Sequence, residues 1–493
     1  MIQIQFRFSA KPNKKVSNCR LKPDALFGYQ VLKFLTFTIL ITVFGFSGAS
    51  GEVIHVKNPG EGNDIAPNLE AAWDRASSGD TIQLPAGSFV YAGRSLFRAY
   101  NKPGIYIRGM GNGSNGTRLY RTKETSDWMI EVYGGGNEAS IEISDIWFQA
   151  MDTRLYDGDS GTGYQLFRGL ALRSTDFLLH DNRFQWFSNR AVGVSHPQSH
   201  GNGVIYNNEF VECLAMTTNG DYSRGYAINV AVWGTMDQWV PVSPGTDNFV
   251  FIEDNYFSRL RLSVGGSMGS LYVFRYNRME LTMSRSAMVD MHPAKPEHSA
   301  DFPYSARYSE VYGNTFIATP TDDPLHAGYD HGAISFRGGG SVIHNNTFRD
   351  FPDFSIRLWI EDTWYKEEYY DFPSDYEVPD YPIPYQIGYE SGEQYGAGHT
   401  GTDYSSYGNG DVYIWNNTYD NAAGLYVQSP FEYDGKQYDY LQEDRDYHRT
   451  GLPGYSPYTY PHPQRGDDPS STQQYTVDVS ASPTEGGSVS GGG

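Results

Sequence analysis

One short pattern recurs along this chain and constrains its fold more than any other feature. It runs: an apolar residue, two residues, Asn, any residue, an aromatic. It reads LHDNRF at 179–184, IYNNEF at 205–210, IEDNYF at 252–257, VYGNTF at 311–316, IHNNTF at 343–348 and IWNNTY at 414–419, with FRYNRM (274–279) and ISDIWF (143–148) as degenerate copies. The Asn positions are 182, 208, 255, 277, 314, 346 and 417, spaced by 26, 47, 22, 37, 32 and 71 residues. The shorter intervals match one coil of a β-solenoid, roughly twenty to thirty residues. The longer ones hold two coils, or one coil with an inserted loop. The apolar residue and the aromatic point into the coil and stack on their counterparts above and below. Asn tolerates left-handed backbone at the bend and can bond main chain there, so stacked copies form an Asn ladder. A β-propeller is the main rival, but its blades need longer and more regular repeats.

A solenoid end exposes apolar surface and unpaired edge groups, so it needs a cap. Residues 66–77 (APNLEAAWDRAS) read as a short amphipathic helix suited to that task, followed by a turn and strand in SGDTIQLPAGSFVY (78–91). That helix, GDTIQLPAGSF, and the NNTF-type coils after it resemble the pectate-lyase-like right-handed parallel β-helix superfamily, over roughly residues 52–430. GTDNFVFIEDNYF (245–257), VDMHP (289–293), EVYGNTF (310–316) and SFRGGGSVIHNNTF (335–348) look like a group of bacterial secreted members. The resemblance implies an all-β, single-stranded right-handed parallel β-helix with an N-terminal helix cap. It leaves the activity open, because the superfamily holds lyases, hydrolases, epimerases and binding proteins.

The ends read differently from the solenoid. Residues 34–45 (FLTFTILITVFG) are one apolar run, preceded by Arg7, Lys11, Lys14, Lys15, Arg20, Lys22 and Lys33 and followed by Ser47-Gly48-Ala49-Ser50. This is the layout of a secretory signal over residues 1–50, and the run is short for a membrane span. A secreted or cell-surface, monomeric protein without stable membrane insertion is expected. The solenoid is expected over 51–450, with an acidic, Tyr-rich insertion at 361–411. Residues 451–473 read as a linker, and 474–493 as the first strand and turn of a C-terminal bacterial repeat domain.

Removal of the signal takes away seven basic residues and one acidic residue, and the formal charge falls from −21 to −27. Nucleic acid is excluded as a natural partner at that charge. An acidic extracellular polysaccharide would have to meet a local cationic patch. Of the 30 basic residues after position 50, 24 are Arg, whose planar fork fits a carboxylate. The two cysteines, Cys19 and Cys213, leave no intrachain disulfide once the signal is gone.

Alternation along the strands selects the outward polar residues. With Ala287, Val289 and Met291 inside, Asp290 and His292 face out; likewise Arg337, Arg357 and Trp359. Arg337 and Arg357 are 20 residues apart, about one coil, and could stack beside Asp290 and His292 from earlier coils, with Arg307 and Glu310 on the coil between. Eliminating a uronate requires neutralising the sugar carboxylate, a base for the α-carbon proton, and an acid for the leaving oxygen. His292, Arg307, Arg337 and Arg357 are the catalytic candidates. Asp290 and Glu310 are candidates for Ca²⁺, with Glu253-Asp254 and DGDSGTG (157–163) as weaker ones. Lys295, Trp359 and Tyr365 are candidates for substrate contact. Three readings remain open: a polysaccharide lyase on a uronic-acid polymer, a glycoside hydrolase using Asp322, Asp323 and Asp330, and a non-catalytic carbohydrate-binding or adhesive protein.

Overall fold

The computed structural model describes residues 51–466 apart from a few single positions and the segments 135–139, 152–166, 197–202, 217–221, 233–241, 281–286, 293–305, 319–331, 360–386 and 388–410. The expected signal, Lys295, Tyr365, Asp322, Asp323, Asp330, DGDSGTG and the expected C-terminal repeat domain lie outside the described residues. No helix among the described residues is long and apolar enough to cross a membrane.

The chain winds as a right-handed parallel β-helix. Each coil contributes one strand to each of three parallel sheets, here numbered 1 to 3 in the order the coil visits them. Among the described residues, sheet 1 has twelve strands and sheets 2 and 3 have ten each. Every interval between the ladder asparagines is one coil. Even across the 47-residue and 71-residue gaps, Ile205 pairs directly with Ile252 and Ile343 with Ile414. The ladder therefore advances by one coil across each of these gaps.

From Ser140–Ser144 onward, sheets 1 and 2 join through a bend of one or two residues. Its first residue is left-handed, with φ between 52° and 68° at Asp145, Asp181, Asn207, Asp254, Tyr276, Gly313, Asn345 and Asn416. This corrects the sequence reading, which gave the left-handed turn to the ladder Asn itself. The preceding residue takes it, which is why Asp, Asn or Gly fills that place in seven of these eight bends. The ladder Asn is left free to bridge coils. Asn182 N donates to Asn208 Oδ1 at 3.0 Å, Asn208 N to Asn255 Oδ1 at 3.0 Å, and Asn255 N to Asn277 Oδ1 at 2.9 Å. The series continues through Asn314 and Asn346 to Asn417.

Inside the coil the motif aromatics stack face to face. Centroids of Phe148, Phe184, Phe210 and Phe257 are 5.1, 5.0 and 4.9 Å apart in turn, close to the spacing of paired strands. Met279 interrupts the column, which resumes with Phe316, Phe348 and Tyr419. The N-terminal helix spans Ala66–Arg75, with Pro67 in its first turn, and buries Leu69, Ala72 and Trp73 over the open end. Trp73 stacks on Phe97 at 4.5 Å.

Residues 451–466, read from sequence as linker, lie along the outer face of sheet 1. Arg275 donates from Nη1 to the Tyr458 carbonyl at 2.8 Å and from Nη2 to the Thr459 carbonyl at 2.9 Å. Arg465 Nη1 meets Glu253 Oε1 at 2.8 Å. Tyr455 and Tyr458 pack on an apolar patch of Val273, Tyr308 and Tyr312. This strap accounts for an outer sheet face too apolar to stand in water.

Candidate functional site

From the first ladder Asn onward, the long connections flank sheet 3, on its sheet-2 side and its sheet-1 side, while the bend between sheets 1 and 2 keeps its two residues. Sheet 3 is thus the face on which side chains from many coils can be gathered between variable loops. Its outward positions form registered columns. Asn229 pairs with Gly265, Gly265 with Asp290, Asp290 with Ser335, and Ser335 with Arg357. One position further on, His292, Arg337 and Trp359 extend the ladder: His292 N donates to Gly266 O, Arg337 N to Met291 O, and Trp359 N to Phe336 O.

These columns bring five of the sequence candidates together. Arg337 grips Asp290 with Nε to Oδ1 at 3.1 Å and Nη2 to Oδ2 at 2.6 Å. The same Nη2 lies 2.6 Å from His292 Nδ1. His292 Nε2 lies 3.1 Å from Asp290 Oδ2 and 3.0 Å from the hydroxyl of Tyr226. A guanidinium can only donate, so Nδ1 is the accepting nitrogen and Nε2 carries the hydrogen. His292 therefore presents an N–H toward Asp290 and Tyr226. Trp359 is in contact with two guanidinium groups, with Arg357 4.1 Å and Arg337 5.6 Å from ring centroids. Its indole N–H donates to Ser335 Oγ at 2.7 Å.

The remaining described candidates separate from this cluster. Glu310 stands on sheet 1, under the strap, accepting from Gly245 N at 2.6 Å and Tyr455 Oη at 2.7 Å. Asp290 and Glu310 thus serve different sheets and do not form one cation site. Arg307, at the corner leading into sheet 1, is 2% exposed and is not presented to a polymer. The oxygens of Glu253 and Asp254 are occupied by Arg275, Arg465 and Tyr460. Among the described residues, no three His, Cys, Asp or Glu side chains converge as a metal site. Arg337 also differs from its expected role. Its ion pair with Asp290 and its 9% exposure make it the group that holds His292, rather than one that meets a sugar directly.

Tyr226 was missed from sequence. It opens its strand behind a short hairpin and has no repeated counterpart, and strict alternation two residues before the inward Ile228 would have turned it inward, so the sequence carried no signal for it. Its ring lies over Gly265, where an added Cβ would come 2.5 Å from Tyr226 Cε1. Tyr226 also pairs with Arg190, and Arg190 with Arg168, in one outward column that begins at Trp128. Burial pushes the Tyr226 phenol above its usual pKa and Asp290 adds to this, while Arg261, Arg190 and Arg337 pull it back.

No family model matches the sequence, and no curated protein sequence does. Solved structures similar to this one include DFA-IIIase from Arthrobacter chlorophenolicus A6 (14% identity, TM-score 0.41, 82% of this chain and 94% of that one). Another is an alginate lyase from Paenibacillus sp. str. FPU-7 (12% identity, TM-score 0.31, 77% and 99%). A third is the Dettilon tailspike protein (11% identity, TM-score 0.33, 77% and 69%). At these values the likeness bears on no activity; the fold stands on the strand register itself.

Proposed function

We propose that this is a secreted, carbohydrate-active β-helix protein whose sheet 3 face takes an acidic polysaccharide, and that it cleaves a uronic-acid polymer by β-elimination. The supporting observation is the inversion of charge on that face. In a chain of formal charge −21, the face carries Arg168, Arg190, Arg261 and Arg357 beside a Tyr–His pair that Arg337 holds in place. Arginine forks neutralise sugar carboxylates, and aromatic faces hold sugar rings.

One observation favours elimination over hydrolysis. Glycoside hydrolysis uses two carboxylates across the scissile bond. The five strands that build the site are Tyr226–Val232, Leu262–Ser267, Val289–Met291, Ile334–Phe336 and Ile356–Leu358. Asp290 is the single carboxylate on them, and it is bound to Arg337.

The test is a screen of residues 51–466 against pectate, alginate, ulvan, glycosaminoglycans and neutral glycans, with and without Ca²⁺. Ultraviolet absorbance of the unsaturated product and reducing ends are read in parallel. Absorbance rising with reducing ends on an acidic polymer is the expected result. Reducing ends without absorbance would replace elimination by hydrolysis. Binding with neither would leave a carbohydrate-binding protein.

A further inference from the structure

We infer that Tyr226 is the catalytic residue of this site, acting in its phenolate form as both base and acid, with His292 as the donor that stabilises the phenolate. The inference rests on the elimination reading above and assigns its chemistry to a residue that the repeat pattern does not mark.

Four pieces of geometry carry it. The Tyr226 oxygen lies 3.0 Å from His292 Nε2, the nitrogen that carries hydrogen because Arg337 occupies Nδ1. His292 is itself fixed by a buried ion pair, since Asp290 is 1% and Arg337 9% exposed. The Tyr226 ring is seated over Gly265, whose missing side chain leaves the space it fills. The charged groups facing the phenol are Arg190 from the preceding coil, Arg261 from the next, and Asp290, His292 and Arg337 beyond it. The imidazole nitrogen thus meets the phenol oxygen directly, and Arg261, Arg190 and Arg337 favour its ionisation against burial and Asp290, which on balance hold the phenol above its ordinary pKa.

The step balances on one oxygen. The phenolate removes the proton on the carbon α to the sugar carboxylate, and that C–H pair becomes the new C=C bond. The bond from the β-carbon to the glycosidic oxygen breaks. The phenol just formed returns the same proton to the departing oxygen, which regenerates the phenolate. Arg190 and Arg168, in the same outward column, are placed to neutralise the uronate carboxylates while this occurs.

Because the phenol must first ionise, turnover should rise about tenfold per pH unit on the acid side of its pKa. Tyr226→Phe keeps the ring over Gly265 and removes one oxygen. On the polymer that the wild type depolymerises, kcat should fall about a thousandfold while KM changes by less than about threefold. His292→Ala should leave measurable turnover but move the rising limb to higher pH. Tyrosinate absorbance, titrated as the difference between wild type and Tyr226→Phe, should show the same upward move in the His292→Ala background. Tyr226→Phe retaining roughly a tenth or more of wild-type kcat would overturn the assignment while leaving the lyase reading intact. A wild type that forms no unsaturated product on any uronate polymer would overturn both.

Discussion

Asn255 shows how a single side chain can decide a register. Its Oδ1 accepts from Asn208 N and Nδ2, both at 3.0 Å, and its Nδ2 donates to Ile205 O at 2.8 Å and Glu253 O at 3.0 Å. It is 2% exposed, so no water replaces these bonds. Asn255→Ala removes the partner of the Asn208 amide and of the Ile205 carbonyl, both on the preceding coil and in the interior. A loss of about 3 kcal/mol is expected in chemical denaturation. Asn255→Asp should cost at least as much, because a carboxylate cannot donate to Ile205 O. The ladder was legible in sequence because every rung must be the same residue. The left-handed residue before it was not, because Asp, Asn, Gly and Tyr276 all serve there. Tyr226 was illegible for the opposite reason: it occurs once, and its partners His292 and Gly265 come from later coils. Asp290, His292, Arg337, Arg357 and Trp359 were found because strand alternation alone fixes which way they point.

At the scale of elements, the strap over sheet 1 carries its own pH dependence. Glu310 lies wholly inside the contact, and burial raises its carboxyl to about 7, against the lowering effect of Tyr455 and Gly245. Its folded pKa thus lies above its unfolded value of 4.5. The folded state holds a proton that the unfolded chain has released, so stability falls as pH rises from about 4.5 to about 7 and is level above that. The size of the loss is on the order of 3 kcal/mol. Glu310→Gln should keep an acceptor for Gly245, offer its amide N–H to the Tyr455 hydroxyl oxygen, and flatten this part of the profile. Denaturant midpoints at pH 5 and pH 8 check it, and a variant with the wild-type difference would show that another group titrates. The strap also shows what composition conceals. Residues 451–466 are rich in Pro, Tyr and Gly and look like tether, yet their tyrosines pack against Val273, Tyr308 and Tyr312. Local sequence gives no sign of this, because the partner surface comes from strands more than a hundred residues earlier.

For the whole molecule, the helix at the N-terminal end separates a finite stack from one that could grow. Trp73 covers the first coil and stacks on Phe97, and Lys102 lies 5.6 Å from its ring. Trp73→Ala should cost about 3–5 kcal/mol and uncover strand edges. Light scattering during storage should rise before bulk unfolding is seen by circular dichroism. A variant that unfolds early but stays monodisperse would show that the helix stabilises without guarding the edge. This end was readable from the amphipathic run before the first strand, as was the solenoid from its motif.

The unequal corners of the coil have a practical consequence. One corner is pinned at two residues by the ladder, while the corners beside sheet 3 absorb stretches as different as 186–189 and 318–333. The chain is thus divided into a part that keeps count and a part that does not have to. Insertions and deletions on the sheet 3 side change what borders the groove without moving Asp290 relative to Arg337 or Tyr226 relative to His292. A library that varies loop length there, and spares every Asn of the ladder, would sample new ligand preferences at nearly constant stability, which makes this scaffold easier to re-target by length than by point substitution.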